Sequence, residues 1–416
     1  MSLNNTPSAE RTHIGIFGKR NAGKSSVINA LTGQNIAIVS EIKGTTTDPV
    51  LKAMELLPLG PVVMIDTPGL DDEGELGALR IQKAYQILNK TDIAILVVDG
   101  TVGMTKEDRA ILERIKDKQI PFGIVLNKAD QAPCQAELAD NISDVCHVDR
   151  KHVLWVSTLE KTNIYELKEL IASLAPTEDS KRKIVGDILH PADLVVLVVP
   201  IDKAAPKGRL ILPQQQTIRD ILEAGAISIV TRETELRETF ASLGRRPSLV
   251  ITDSQVFQQV AAETPEDIPL TSFSILFARY KGNLQTVVNG ARALDSLEND
   301  DAILISEGCT HHRQCEDIGT VKLPRMIKKY TGKELNFTFT SGTEFPLELN
   351  PYKLIIHCGG CTLNEREMKY RLGHAGDAGI PITNYGTAIA YMQGILERSI
   401  AIFSPKGTGQ IELGTR

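Results

Sequence analysis

Two groups of side chains in this sequence have the types and spacing to do chemistry, and they lie far apart along the chain. The later group combines a Cys-x-His at Cys309 and His311 with a His-Cys-x-x-Cys at His357, Cys358 and Cys361. Thiolate and imidazole ligands at such spacing are typical of iron-sulfur clusters and of zinc sites. The earlier group, near the start of the chain, has the spacing of a phosphate-binding loop.

The earlier group has the pattern G-x-x-x-x-G-K-S between an apolar segment and a helical pattern. Gly18 and Gly23 would let backbone N–H groups curl around phosphate oxygens. Lys24 can reach the outer phosphates, and the Ser25 hydroxyl can bind Mg²⁺. The residues predicted to form this phosphate-binding loop are Gly18, Asn21, Ala22, Gly23, Lys24, Ser25 and Ser26.

Two further motifs predict that the nucleotide is GTP. Asp66 and Gly69 form a D-x-x-G after an apolar strand, where the carboxylate would hold the Mg²⁺ shell and the glycine amide would sense the γ-phosphate. Asn127, Lys128 and Asp130 form an N-K-x-D after another strand. The Asp130 carboxylate can accept both N1–H and N2–H of guanine. Adenine offers no matching pair of donors, so ATP is not the expected nucleotide.

Two loops complete the predicted nucleotide site. Ser157 and Thr158 follow the next strand, at the place where GTPases contact guanine O6 through the backbone. The Thr-rich segment 44–48 lies between the first helix and the second strand, in the position of switch I. A threonine in that position closes on Mg²⁺ when the γ-phosphate is present.

Two apolar strands are expected to bring the cysteines together. Ala302–Ser306 ends shortly before Cys309, and Leu354–Ile356 ends shortly before Cys358 and Cys361. The carboxyl ends of parallel strands meet at one edge of a sheet. Three thiolates suit a 4Fe-4S cubane with one open or exchangeable position, while Cys₃His zinc and a redox C-x-x-C remain alternatives. The candidates for a fourth ligand, or for hydrogen bonding around the site, are Glu307, His311 and His357.

Bulk composition narrows the class of protein. With 416 residues we expect about three domains, and the 42% hydrophobic and 24% charged fractions are typical of globular proteins. A net charge of -6 provides no basic field, so nucleic acid is not an expected partner. No apolar stretch reaches the roughly 18 to 20 residues that cross a bilayer, and residues 1–11 lack a signal-peptide pattern. We therefore expect a cytoplasmic protein without a membrane segment.

The elements that position these groups alternate between strand and helix patterns, which predicts the α/β class. We expect three α/β domains at 1–176, 184–262 and 265–416, the first a P-loop domain with a mostly parallel, doubly wound sheet. Leu194–Val199 is expected to be an edge strand that pairs across a two-fold axis. Ser272–Phe277 is expected to be a strand of the third domain.

The stretches G-K-R-N-A-G-K-S-S, G-T-T-T-D and D-T-P-G-L, within roughly residues 10–175, resemble the TrmE-Era branch of translation-factor-like GTPases. That resemblance implies that Asn21 helps to bind K⁺ and that Thr46 is a Mg²⁺ ligand. Leu70 stands where many GTPases carry a water-positioning glutamine, so we expect slow basal hydrolysis that K⁺ stimulates more than Na⁺. The residues then expected to carry GTP hydrolysis are Lys24, Thr46, Asp66 and Gly69.

The whole chain resembles the HydF family, the maturation GTPases of FeFe hydrogenases, including the stretches E-G-C-T-H-H-R-Q-C-E-D-I-G and H-C-G-G-C. The resemblance implies a GTPase domain, a dimerisation domain and a domain that binds a 4Fe-4S cluster through Cys309, Cys358 and Cys361. It also implies a homodimeric scaffold that holds a diiron subcluster precursor before transfer to the FeFe-hydrogenase apoprotein, with radical-SAM maturases similar to HydE and HydG as partners. The alternatives are a tRNA-modifying or ribosome-assembly GTPase with a structural zinc module, and a redox enzyme that uses the C-x-x-C.

Overall fold

The computed structural model describes residues 6–33, 50–67, 83–131, 135–175, 182–201, 210–308, 317–342 and 344–403. The chain forms two compact units, Met1–Lys181 and Arg182–Arg416. The division into three domains stays a prediction. The predicted site residues that lie outside the described ranges are Thr46, Gly69, Cys309 and His311.

The first unit contains a six-stranded, mostly parallel sheet covered by helices. Its elements are β1 (Thr12–Phe17), α1 (Lys24–Thr32), β2 (Val50–Leu56), β3 (Gly60–Asp66), β4 (Ile93–Asp99), α2 (Lys106–Asp117), β5 (Phe122–Asn127), α3 (Gln135–Cys146), β6 (Val153–Trp155) and α4 (Ile164–Ser173). The strand order is β2-β3-β1-β4-β5-β6, and only β2 runs antiparallel to its neighbour. Apolar side chains pack on both faces, as in parallel sheets generally. The predicted α/β class and parallel first sheet are confirmed.

The second unit begins with a four-stranded parallel sheet. Its elements are β7 (Leu194–Val198), α5 (Leu212–Glu223), β8 (Ile227–Thr231), α6 (Leu236–Ser242), β9 (Leu249–Thr252), α7 (Phe257–Glu263), β10 (Leu270–Ser272), α8 (Phe273–Lys281) and α9 (Leu284–Arg292). The order is β10-β9-β7-β8, with every pairing parallel. The sheet therefore extends past residue 262. The edge-strand prediction for Leu194–Val199 is wrong, because β7 lies between β9 and β8.

The strand predicted at Ser272–Phe277 is also wrong, because only Ser272 belongs to a strand and the rest begins α8. The Ser272 side chain accepts a hydrogen bond from the Ile275 N–H at 3.3 Å and so caps the helix. Most of α8 is buried, so apolar residues occur on most of its surface. Its sequence therefore lacks the single apolar face whose periodicity distinguishes a helix from a strand. Short apolar runs of this kind are ambiguous in sequence.

The second unit ends with another four-stranded parallel sheet, which positions the cysteines. Its elements are β11 (Ala302–Ser306), α10 (Leu323–Thr331), β12 (Asn336–Thr340), β13 (Leu354–His357), α11 (Glu365–Asp377), β14 (Ile382–Asn384), α12 (Tyr385–Met392) and α13 (Leu396–Ile400). The order is β12-β11-β13-β14. Ser306 of β11 pairs in register with His357 of β13, so the predicted meeting of these two strand ends at one sheet edge is confirmed. Within the described ranges, no helix has the length and apolar character needed to cross a membrane.

Candidate nucleotide and metal sites

The loop between β1 and α1 requires glycine at two positions for steric reasons. Gly18 has φ +138°, and a Cβ there would lie 2.1 Å from the carbonyl oxygen of Val97. Gly23 has φ +92°, and a Cβ there would lie 2.1 Å from Asn127 Nδ2. Asn21 also has a positive φ, of 61°. The backbone therefore turns tightly just before the N-terminus of α1, a geometry that suits an anion.

The side chains at the start of α1 provide a cation for phosphate and oxygen atoms for a metal ion. Lys24 is buried, and its Nζ donates to the carbonyl oxygens of Gly18 at 2.9 Å and Lys19 at 2.8 Å. Ser25 Oγ donates to Asp66 Oδ2 at 2.8 Å. Burial raises the pKa of the Asp66 carboxyl, while Ser25 and the Lys24 charge oppose that rise. The Ser25 hydroxyl and the Asp66 carboxylate therefore supply oxygen donors that would hold Mg²⁺ beside the phosphate loop.

The predicted guanine-binding residues lie at the carboxyl ends of β5 and β6. Asn127 Nδ2 donates to the Ala22 carbonyl oxygen at 3.0 Å, which ties this motif to the phosphate loop. Ser157 Oγ donates to Asp130 Oδ1 at 2.7 Å, and this bond lowers the pKa of the exposed Asp130 carboxyl. Asp130 is therefore ionised and oriented, as an acceptor for two guanine N–H groups must be. Thr158 follows in the same turn and is half-buried.

Sequence reasoning missed Asp99, which ends β4 at the same edge of the sheet. Lys128 Nζ contacts Asp99 Oδ2 at 2.5 Å, and Thr101 Oγ1 donates to Asp99 Oδ1 at 2.6 Å. Burial would raise the pKa of Asp99, but these hydrogen bonds outweigh it and hold the pKa below its usual value. An acidic residue at a parallel strand's carboxyl end was the available signal.

The cysteine loop lies at the edge formed by β11 and β13. Cys358 Sγ accepts hydrogen bonds from the N–H groups of Gly308 at 3.0 Å and Gly360 at 3.4 Å. The Cys358 N–H donates to the Ser306 carbonyl oxygen at 2.9 Å, which fixes the loop to the neighbouring strand. Gly360 has φ +62°, and a Cβ there would lie 2.6 Å from Met368 Sδ. The turn thus brings two backbone donors to one sulfur.

Both thiols of this loop have a raised pKa, so they need a positively charged partner to ionise. Burial raises the pKa of Cys358 to about 11, and the N–H groups of Gly308 and Gly360 partly oppose it. Burial also raises the pKa of Cys361, against the nearby Lys281 charge. A bound metal centre deprotonates its cysteine ligands, so these values describe the protein without that charge.

The His357 ring is buried between Arg371 and the backbone of the cysteine loop. Arg371 Nη1 lies 2.9 Å from His357 Nε2, and His357 Nδ1 lies 2.7 Å from the Cys358 carbonyl oxygen. Arginine can only donate, so Nε2 accepts and Nδ1–H donates to that carbonyl. Burial and the Arg371 charge lower the pKa of His357 to about 3, which keeps the ring neutral. In this arrangement His357 holds the backbone beside Cys358, and both ring nitrogens have protein partners.

The other described candidate, Glu307, lies in a buried polar group next to the loop. Tyr385 Oη donates to Glu307 Oε1 at 3.3 Å. A Cβ at Gly319 would lie 2.3 Å from Tyr385 Oη and 2.5 Å from Glu307 Oε1. Glycine at this position therefore leaves the space in which the carboxylate and the phenol meet.

The described donor set fits part of an iron-sulfur ligand set. Two thiols on one tight turn, with N–H groups directed at a sulfur, match the hydrogen bonding that tunes cluster thiolates. Among the described residues, no group of three His, Cys, Asp or Glu side chains is gathered as a metal site. The third predicted thiol, Cys309, and His311 lie outside those residues.

Comparison with known families decides the identity of the second unit. The model of the hydrogen maturase F dimerization domain matches residues 184–282, and that of the hydrogen maturase F tetramerization domain matches residues 285–402. The chain belongs to the HydF family. A third model, the 50S ribosome-binding GTPase, matches residues 13–128. This HydF chain therefore joins a TrmE/Era-like GTPase domain to two hydrogenase maturation domains.

Individual GTPases resemble parts of this HydF chain. The tRNA modification GTPase MnmE of Desulforamulus reducens is 33% identical over 153 residues, covering 35% of this chain and 32% of MnmE. The chain therefore spans about a third of the length of that relative. GTPase Era of Rippkaea orientalis is 31% identical over 237 residues, covering 55% of this chain and 71% of Era. The crystal structure of Aquifex aeolicus Era bound to GDP and aluminium fluoride aligns with a TM-score of 0.37 and 21% identity, over 56% of this chain and 98% of that one.

Proposed function

We propose that this HydF-family protein hydrolyses GTP with Mg²⁺ and acts as a scaffold in hydrogenase maturation. It binds a 4Fe-4S cluster, and it holds and delivers a diiron subcluster precursor to the FeFe-hydrogenase apoprotein. The observation that carries the proposal is the Cys358 sulfur with its two N–H donors at 3.0 and 3.4 Å. That sulfur lies in a chain that also matches both hydrogen maturase F domains.

In the nucleotide half, Lys24 and the loop amides bind the phosphates, and Ser25 with Asp66 holds Mg²⁺. Asp130 selects guanine. Ser157 orients the Asp130 carboxylate, a role that the 2.7 Å hydrogen bond between the two side chains supports. Asn21 provides the K⁺ contact, and Thr46 and Gly69 complete the switch segments. Hydrolysis rates in KCl and NaCl of equal ionic strength test this half. We expect slow turnover that is faster in K⁺, and equal rates in both salts would contradict the K⁺ site.

In the metal half, Cys309, Cys358 and Cys361 hold the cluster, and the fourth position has an exchangeable ligand that cargo can replace. When bound, the cluster supplies an iron site with an exchangeable ligand. Gly308 and Gly360 donate to the Cys358 thiolate and lower its charge density. His357, held by Arg371, fixes the backbone beside that thiolate. Glu307 and His311 remain the candidates for the fourth position.

Anaerobic iron and sulfide analysis with EPR of the reduced protein tests the metal half. We expect about four iron and four sulfide per chain with a cubane signal, and loss of that signal in Cys358→Ala. Cys146→Ala is the matched control, because Cys146 packs in the core of the first unit. Stoichiometric zinc in place of iron would overturn the scaffold proposal in favour of a structural zinc module.

Delivery of the diiron precursor to the FeFe-hydrogenase apoprotein tests the proposed partners. Protein produced together with two radical-SAM maturases similar to HydE and HydG should confer hydrogen evolution on the FeFe-hydrogenase apoprotein. Protein produced without them should not. Delivery that survives Cys358→Ala would contradict a cargo site at this cluster.

The family models support assembly of several copies, and we propose a homodimer that forms through β8, the exposed edge strand of the second sheet.

A further inference from the structure

Lys281 is a buried cation that the proposed nucleotide site and the predicted ligands leave unexplained. It ends α8, and only 4% of its surface is exposed. Burying an ammonium group is costly unless it is paired or well hydrogen-bonded. Its contacts therefore indicate what its charge is for.

The Lys281 ammonium is directed at the cysteine loop. Its Nζ donates to the carbonyl oxygens of Gly360 at 3.2 Å, Cys361 at 3.2 Å and Leu363 at 2.8 Å. It also lies 5.7 Å from the centroid of the Phe277 ring, a favourable cation–π contact. The lysine thus binds the stretch of backbone that carries the second cysteine of the C-x-x-C.

The end of α8 is held in place by a close approach to α11. A Cβ at Gly282 would lie 2.8 Å from Leu372 Cδ1 and 3.1 Å from the Ala278 carbonyl oxygen. Glycine therefore lets the chain leave α8 directly against the helix that follows the cysteine loop. As a result, Lys281 reaches the loop from a fixed position and not as a mobile surface side chain.

We propose that Lys281 is a positioning residue of the metal centre, which holds the carbonyl side of the cysteine loop and offsets the negative charge of the thiolates and cluster. Gly360 links the lysine to the thiol, because its N–H donates to the Cys358 sulfur and its carbonyl oxygen accepts from Lys281. The inference rests on the proposed function, because the charge role requires an anionic cluster.

Hydrogen exchange in the full-length protein without metal tests the holding role. Lys281→Met keeps most of the side-chain stem and removes the charge and donors, so amides in 358–364 should exchange about tenfold faster or more. The matched control is Lys369→Met, because Lys369 is exposed on α11 and pairs with Glu365. Unchanged exchange in Lys281→Met would overturn the holding role. Unchanged exchange in β7 and β11 confirms that the variant is folded.

The midpoint potential of the reconstituted cluster tests the charge role. A nearby cation stabilises the more negative reduced cluster, so Lys281→Met should lower the potential. Lys281→Arg keeps the charge with a different donor geometry and should stay nearer the wild type. Equal shifts in both variants would overturn the charge role. If the wild type binds no cluster iron, the proposed function and the charge role both fail, while the exchange rates still decide whether Lys281 holds the loop.

Discussion

At the residue scale, the two candidate sites depend on small groups that lie within hydrogen-bonding distance of functional atoms. Gly23 leaves room for the Asn127 amide, and Gly360 leaves room for Met368 while donating to a thiol. At both positions an added Cβ would clash with a neighbouring side chain, so the turn requires glycine. Substitution at such positions should therefore affect ligand binding more than it affects the fold.

Gly23→Ala should abolish measurable GTP binding, because the added Cβ would lie 2.1 Å from Asn127 Nδ2 at φ +92°. Gly33→Ala is the matched control, since Gly33 also has a positive φ, of 66°, but an added Cβ there meets nothing within 4 Å. The control should lose only about 1 to 2 kcal/mol of stability and keep its affinity. Titration with a fluorescent GTP analogue measures the affinity of both variants, and urea denaturation measures their stability. Wild-type affinity in Gly23→Ala would contradict the phosphate loop.

At the element scale, α11 carries a buried charge network, whereas β8 is an exposed sheet edge. On α11, the fully buried Arg371 joins Glu367 on its own helix at 2.9 Å to Ser306 on β11 at 3.2 Å. This network fixes the helix beneath the cysteine edge of the sheet. β8 is an edge strand with Ile227 44% and Val230 45% exposed. The α11 network therefore stabilises the interior, and β8 is the edge at which we propose that another copy pairs.

Arg371→Met should lower the free energy of unfolding by about 3 to 5 kcal/mol, because it leaves the Glu367 carboxylate buried without its charge partner. The double variant with Glu367→Met should recover part of that loss, since no buried charge remains. Urea denaturation followed by circular dichroism measures both variants. A loss under about 1 kcal/mol in the single variant would show that the pair contributes little.

Val230→Lys should convert the proposed homodimer into a monomer, because a lysine on an exposed edge strand opposes pairing with a second copy. Light scattering coupled to gel filtration gives the mass. Val102→Lys is the control, since Val102 is 70% exposed in a turn of the first unit. A dimer that persists in Val230→Lys would place the interface elsewhere.

At the scale of the whole molecule, a nucleotide-binding unit precedes a unit that carries the cysteine loop. The only tryptophan of the sequence, Trp155, lies in β6 of the first unit. Its fluorescence therefore reports unfolding of that unit within the intact chain. A ligand that binds only the folded state stabilises it by mass action, so this signal can follow nucleotide binding directly.

GDP with Mg²⁺ at about 100 times its dissociation constant should stabilise the first unit by about 2.7 kcal/mol. For a unit of this size that raises the unfolding temperature by roughly 5 to 10 °C. ADP should leave the Trp155 transition unchanged, since adenine lacks the pair of N–H donors that we propose Asp130 accepts from guanine. An equal shift with ADP would contradict the guanine preference.

The sequence alone determined the features that depend on short spacing. The G-x-x-x-x-G-K-S, the N-K-x-D and the C-x-x-C are local patterns whose backbone geometry follows from the residues within them. The apolar strands before Glu307 and Cys358 were also recognisable, and parallel pairing then brought their ends together. These features were predictable because each depends on neighbours in sequence or on one general rule of parallel sheets.

Only the tertiary structure decided what depends on packing between distant segments. β7 is interior because β8 and β9 both pair with it, which no property of Leu194–Val198 alone reveals. The segment after Ser272 is helical, and the sequence did not reveal it because burial of most of this helix removes the periodicity that identifies a helix. His357 turns toward Arg371, and Lys281 becomes a buried partner of the cysteine loop, because side-chain direction and burial are set by residues that are remote in the chain.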